Sequence, residues 1–179
     1  MTLFEIDTTV FRFLNSYHTP LLDQLNLLIH YGTREGLVYY PFAIGFLLSN
    51  NNRFKKFAKL GIISGATTFV IIDLILKNIF DRLRPYQTLT DAIYLPPAPD
   101  SFSFPSGQAG TAFAVATLII LMFPQKKIRY LGIIFALIIG ISRIYMGHHY
   151  PSDVVFGAII GVIVTYVLWK SFPSRKITT

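Results

Sequence analysis

Apolar positions gather into five runs along the chain, at residues 37–49, 57–80, 110–123, 130–146 and 154–169. A helix crossing the hydrocarbon core of a bilayer needs about 17–25 residues. The second, fourth and fifth runs meet or approach that length. The first and third must borrow flanking residues, Gly36 and Asn50 for one, Ser106 and Gly107 for the other. Ahead of these runs, residues 1–15 place Leu3, Ile6, Val10 and Leu14 (or Phe13) at spacings of three and four. That period predicts an amphipathic helix lying at the membrane surface. Glu5, Asp7 and Arg12 interrupt it, so it lacks the apolar stretch of a signal peptide. Pro20 opens another stretch, in which Asp23, Gln24, Asn26 and His30 interrupt Leu21, Leu22, Leu25, Leu28 and Ile29. This piece either dips into the bilayer or lies against the other helices; it is not expected to span alone. The expectation is an all-α, polytopic membrane bundle of five to six membrane helices plus the N-terminal interfacial helix.

Composition narrows the class. Charged residues make up 14% and hydrophobic ones 53% of 179 residues, with a mean hydropathy of +0.52. Soluble domains run near about 25% charged, and a disordered chain would be far less apolar. The length suits one domain, residues 1–179. The absence of cysteine excludes a disulfide scaffold, thiol catalysis and thiolate metal sites. A net charge of +7 would suit a nucleic-acid binder, but its placement argues otherwise. Arg53, Lys55, Lys56 and Lys59, then Lys126, Lys127 and Arg129, then Lys170, Arg175 and Lys176 account for ten of the sixteen basic residues, and they fall at every second boundary between runs. This is the positive-inside pattern of cytoplasmic loops. It excludes a nucleic-acid partner and turns residues 81–104, the turn at 148–153 and the N-terminal region outward. The long connection at 84–104, with Pro85, Pro96, Pro97 and Pro99, has the length of a functional loop.

Ionisable residues at membrane depth are costly and point to function. The outward boundaries collect Lys77, Asp81, Arg82, Arg84, Arg143, His148, His149 and Asp153 at one membrane face. Lys77 and Arg84, seven residues apart, would share one face of a helix that Pro85 then stops. They either clamp an anion or snorkel to lipid head groups. Ser106 is an N-cap candidate, and a helix starting at Gly107 offers free amides to an anion; it can also be a plain helix start. Pro151 suits the first turn of the last helix, placing His149 just outside it and Asp153 within that turn. Asp153 can then accept from one imidazole nitrogen of His149 and leave the other as a nucleophile. A structural His–Asp cap, or a metal site built from His148, His149 and Asp153, are the competing readings. Adjacent histidines in an extended turn point apart, which disfavours the metal. Several cations without an acidic quartet point to a phosphate held without metal or cofactor.

These residues fall into three spaced motifs: Lys77 through Arg84-Pro85, then Pro105-Ser106-Gly107-Gln108, then Ser142-Arg143 with His149 and Asp153. In order and spacing they resemble the membrane branch of the type 2 phosphatidic acid phosphatase superfamily, and the compact bacterial lipid phosphatases in particular. The resemblance implies metal-independent hydrolysis of a lipid phosphate ester or pyrophosphate through a phosphohistidine. It makes His149 the nucleophile and Asp153 its orienting partner, and it assigns Lys77, Arg84, Ser106, Gly107 and Arg143 to the phosphoryl oxygens. It also implies a multi-pass protein of the bacterial cytoplasmic membrane whose active face looks outward. Undecaprenyl pyrophosphate, phosphatidylglycerophosphate and the 1-phosphate of lipid A are the candidate substrates; oligomeric state does not follow. One position departs from the pattern: Gln108 stands where the family carries the histidine that protonates the leaving oxygen. Gln has no acidic proton to give, so the chain reads as an inactivated variant. It is either a divergent member or a deliberate replacement, and the intactness of every other motif position favours the replacement. The alternative class is a non-catalytic membrane protein that binds lipid phosphates.

Overall fold

The computed structural model describes residues 2–34 and 38–172. Gly36 and Leu37, at the start of the first apolar run, and Arg175 and Lys176, in the last basic cluster, lie outside the described residues. Among those residues all regular structure is helical: α1 (Leu3–Asn15), α2 (Pro20–Thr33), α3 (Tyr39–Leu48), α4 (Asn52–Phe69), a π-helical stretch (Val70–Leu76) continuing into α5 (Lys77–Phe80), a short α6 (Pro85–Thr88), α7 (Gly107–Met122), α8 (Lys126–Tyr145) and α9 (Pro151–Ser171). The five apolar runs thus become α3, α4 to α5, α7, α8 and α9. Three of these are long and apolar enough to cross a bilayer, spanning 52–88, 126–145 and 151–171, while α3 and α7 are shorter apolar helices.

Local chemistry sets the helix starts. Thr2 and Glu5 form a reciprocal capping box on α1. Thr19 caps α2 ahead of Pro20, and Ser106 caps α7. The third run therefore borrows Gly107 at its start, which gives α7 16 residues.

The centre of the bundle is α7, packed between α4, α8 and α9. Its inward positions Ala109, Gly110, Ala112, Ala114 and Ala116 are small and buried. Opposite them α9 presents Gly157 and Gly161, whose α-carbons lie against the carbonyls of Ser106 and Gly110. Lipid gives helices no hydrophobic reason to pair, so close backbone approach is how they hold together.

The bundle has two chemically distinct ends. At one, Phe54 stacks on Phe123 with ring centroids 6.0 Å apart. There Lys56 Nζ donates to the Phe172 carbonyl at 2.7 Å and Arg129 Nε to the Phe123 carbonyl at 2.6 Å. The basic clusters sit here. At the other end the start of α7, the end of α8, the start of α9 and the 81–104 loop come together beneath α1 and α2.

Two expectations change. Lys77 and Arg84 are not on one helix face. Asp81 takes a left-handed conformation (φ 47°) and ends α5 four residues before Pro85, which instead opens α6 with Arg84 as its N-cap. The helix α1 does not simply rest at a surface. Its apolar stripe of Leu3, Ile6, Val10 and Phe13 is exposed, while Asp7, Thr8, Phe11 and Asn15 turn inward and are buried. The same inversion holds in α2, where Asn26, His30 and Thr33 are buried and Leu21, Leu22, Leu25 and Leu28 face out. A helix with lipid outside and a polar site inside reverses the soluble pattern.

Candidate active site

The motif residues converge at the loop-rich end in two adjoining groups. The first is built around Arg84, which is 1% exposed. Its Nε donates to the Ser101 carbonyl at 2.7 Å and Nη2 to the Phe102 carbonyl at 3.0 Å. Nη1 donates to the His148 carbonyl at 2.8 Å and lies 3.3 Å from His149 Nε2. Backbone carbonyls of the 81–104 loop thus fix the guanidinium plane. Lys77 Nζ reaches the same place, 3.2 Å from Ser101 Oγ, and pairs with Asp73 at 2.5 Å. The Asp73 carboxylate lies against the α-carbon of Gly107, at the first turn of α7.

His149 is held from the backbone. After α8, Gly147 takes a positive φ of 77°, a conformation that glycine adopts without cost. The turn it makes lets the N–H groups of His148 and His149 both donate to the Arg143 carbonyl. The imidazole Nδ1 then donates to the Ser103 carbonyl at 2.7 Å. This leaves Nε2 with its lone pair beside Arg84. Burial, and then the positive charges of Arg84, Lys77 and Arg143, hold His149 well below its ordinary pKa. A neutral imidazole with a free lone pair can attack an electrophile.

Asp153 sits 3.6 Å from His149 Nδ1, too far for the direct hydrogen bond expected from sequence. As the third residue of α9 its carboxylate turns back onto other donors. These are the Tyr150 N–H at 2.8 Å, Ser103 Oγ at 2.5 Å and Arg82 Nη1 at 2.6 Å. Asp153 is therefore linked to His149 through Ser103, whose hydroxyl donates to Asp153 and whose carbonyl accepts from His149. Arg82 also donates to Asp7 at 2.6 Å, and Asp7 accepts from the N–H of Ser152 at 2.8 Å, which ties α1 to the start of α9.

The second group surrounds Arg143, which is fully buried. Its Nη1 donates to Gln108 Oε1 at 2.6 Å and to His30 Nδ1 at 2.8 Å. Gln108 Nε2 in turn donates to Thr33 Oγ1 at 3.0 Å. Ser106 is the N-cap of α7 as expected, accepting from the Ala109 N–H, and its own N–H donates to the Asp153 carbonyl at 2.9 Å. The His148 ring does not join His149: its Nε2 lies 2.9 Å from the Leu95 carbonyl, and the ring packs among Tyr86, Tyr94 and His30.

Lys77, Arg84, Ser106, Gly107, Gln108, Arg143, His149 and Asp153 are thus all gathered here. The sequence reading missed Asp73, Ser101, Ser103 and His30. Asp73 and His30 carry a signal, as ionisable groups inside largely apolar helices. Ser101 and Ser103 carry none, because their contribution is partly backbone and the loop conformation alone delivers it.

A profile of the PAP2 superfamily matches residues 58–177. The chain is 31% identical over 156 residues to the undecaprenyl-diphosphatase BcrC of Bacillus subtilis (strain 168), covering 87% of this chain and 77% of that protein. It is 29% identical over 185 residues to a lipid A 4'-phosphatase of Bacteroides thetaiotaomicron, covering 98% of this chain and 80% of that one. Among solved structures it superposes on LpxE of Aquifex aeolicus with a TM-score of 0.82 and 32% identity, over 92% of this chain and 95% of that one.

Proposed function

This chain belongs to the PAP2 superfamily, and from that premise we propose that it is a membrane enzyme removing a phosphate or diphosphate group from a lipid through a phosphohistidine on His149. The observation that carries the reading is the tautomer of His149. The Ser103 carbonyl takes the Nδ1 proton at 2.7 Å, so Nε2 is the free nucleophile, 3.3 Å from a guanidinium that would hold the phosphoryl group. Lys77, Arg84, Arg143 and the first turn of α7 supply charge-assisted donors for the oxygens as charge develops there. In the second step water attacks phosphorus, the P–N bond breaks and His149 recovers its lone pair. The nearby carboxylates are committed to cations, Asp73 to Lys77 and Asp153 to Arg82, which favours a reaction that needs no metal.

A lipid substrate suits the surroundings. An apolar groove of about 460 Å³ between α8 and α9, lined by Phe113, Leu137, Ile144, Val154 and Ile163 among others, begins one residue from Arg143 and from Asp153. It runs along both helices away from the site, where an acyl or polyprenyl tail would lie. The names of the two relatives support undecaprenyl diphosphate and lipid A phosphates as candidate substrates, and phosphatidylglycerophosphate remains a candidate beside them. The basic clusters at the opposite end support a bacterial cytoplasmic membrane with the site facing outward.

The test is release of inorganic phosphate from a panel of these lipids in detergent. Release by this chain or by its Gln108→His variant is expected, undiminished in EDTA and abolished by His149→Ala in either background. Lipid binding without release from either chain would leave only the binding-protein reading.

A further inference from the structure

The helix α2 delivers to the site a residue that the three motifs do not contain. His30 is 4% exposed, and its Nδ1 lies 2.8 Å from Arg143 Nη1, the same nitrogen that donates to Gln108 Oε1 at 2.6 Å. The His30 imidazole and the Gln108 amide therefore flank one guanidinium nitrogen. Arginine can only donate, so Nδ1 is the acceptor and the ring proton sits on Nε2. That N–H is buried and has no hydrogen-bond partner among the described residues. Leaving such a group unpaired costs about 1–3 kcal/mol, which a ligand oxygen at this position would recover. The ring also stands edge-on to His148, with centroids 5.5 Å apart, and His148 adjoins His149 and holds Arg84 through its carbonyl.

We propose that His30 is the proton donor to the leaving oxygen, taking from α2 the part that a histidine at position 108 would otherwise play. The proposal rests on the reading of His149 as nucleophile. At rest the ring is neutral, held down to about 4 by burial and by Arg143 and Arg34. When a phosphate binds, Arg143 turns an N–H to a phosphoryl oxygen, and Nδ1 is freed to take a proton from water beside the new negative charge. His149 Nε2 then attacks phosphorus. The bond from phosphorus to the leaving oxygen breaks, its electron pair stays on that oxygen, and the oxygen takes the Nε2 proton of His30. In the second step the attacking water gives a proton back to Nε2 as the P–N bond breaks, and as phosphate leaves Nδ1 returns its extra proton to the hydroxide left in solvent and accepts from Arg143 again. The cycle needs water alone. The charged and titratable groups beside His30 are Arg143 from α8, His148 from the turn after α8, and Tyr31 and Arg34 on or just after its own helix. On this reading Gln108 does not disable the chain but steers Arg143.

The experiment compares leaving groups. The unmodified chain should hydrolyse a short-chain alkyl phosphate and a nitrophenyl phosphate at rates within about tenfold, since a proton donor flattens the dependence on leaving-group pKa. His30→Gln should slow the alkyl ester by about 10²–10⁴-fold, the usual scale for a general acid, and the nitrophenyl ester by less than about fivefold. Gln108→His should restore the alkyl rate in the His30→Gln background. A steep leaving-group dependence in the unmodified chain would overturn the proposal without any variant having to fold. So would an equal loss on both esters that Gln108→His does not rescue, because a structural role gives that pattern. Activity that survives His149→Ala would instead remove the nucleophile on which the proposal rests.

Discussion

The residue that departs from expectation in its contacts is Asp153. Its carboxylate is fully buried and accepts from Ser103, Tyr150 and Arg82 rather than from His149. Two replacements should therefore separate two roles. His149→Ala removes a side chain whose main partner is one backbone carbonyl, and the chain should keep its thermal midpoint while losing turnover. Asp153→Ala leaves the Tyr150 N–H and the Ser103 hydroxyl without their acceptor, and should cost about 1–3 kcal/mol of stability as well as activity. Equal midpoints for both variants in thermal unfolding would contradict this division. Acid should weaken the same site. His148 is pushed down to about 3, first by burial and then by His149, Arg143 and Arg84, and His149 also lies well below its ordinary value. The unfolded chain binds protons at these histidines near pH 6.5 while the folded one does not. Their contribution to stability is thus complete above about pH 6.5 and is lost as pH falls toward the folded values. The thermal midpoint should drop between pH 7 and pH 5, and a flat profile across that interval would count against buried neutral histidines.

At the scale of elements, the site depends on how closely α9 approaches α7. A Cβ at Gly161 would collide with the Gly110 carbonyl, and one at Gly157 with the Ser106 backbone, next to the Ser106-to-Asp153 hydrogen bond. Gly161→Ala is expected to cost about 1–3 kcal/mol through overpacking and to lower turnover by displacing Asp153. Gly65, on α4, has open space around it. Gly65→Ala should stabilise by up to about 1 kcal/mol through helix propensity alone. Thermal unfolding and phosphate release on the two variants check both signs at once. The π-helical stretch Val70–Leu76 is the other determinant at this scale. Its wider turn shifts the register of everything after it, and from there Asp73 meets Gly107 and Lys77 meets Ser101.

For the whole molecule, the separation of a basic end from a catalytic end makes orientation testable. Thr90 lies in the loop over the site and Gln125 between α7 and α8 at the basic end, and both are exposed. Single cysteines at these positions should label from opposite sides of intact cells, Thr90→Cys from outside and Gln125→Cys only after permeabilisation. Labelling of both from one side would refute the orientation. The inverted faces of α1 and α2 belong to this scale too. Their polar sides close over the site through Asp7, Asn15 and His30, leaving leucines and phenylalanines to the lipid.

Sequence alone carried the helical class, the five apolar runs and the gathering of charged residues at one end, because lipid demands length and apolarity that composition records directly, and because charged side chains stand out at membrane depth. It could also place the helix starts at Pro20, Ser106 and Pro151, since these residues act on their own neighbours. It could not place what depends on a bend or on a distant segment. The left-handed Asp81 and the π-helical turn broke the period that would have put Lys77 and Arg84 on one face. Ser103 holds His149 through a backbone carbonyl, which any residue type possesses and no pattern reveals. His30 looked like an interruption in a leucine-rich helix until α2 folded across α7 and α8 and set it beside Arg143. Tertiary structure decided these contacts because each joins groups far apart in the chain, and only packing determines which of them meet.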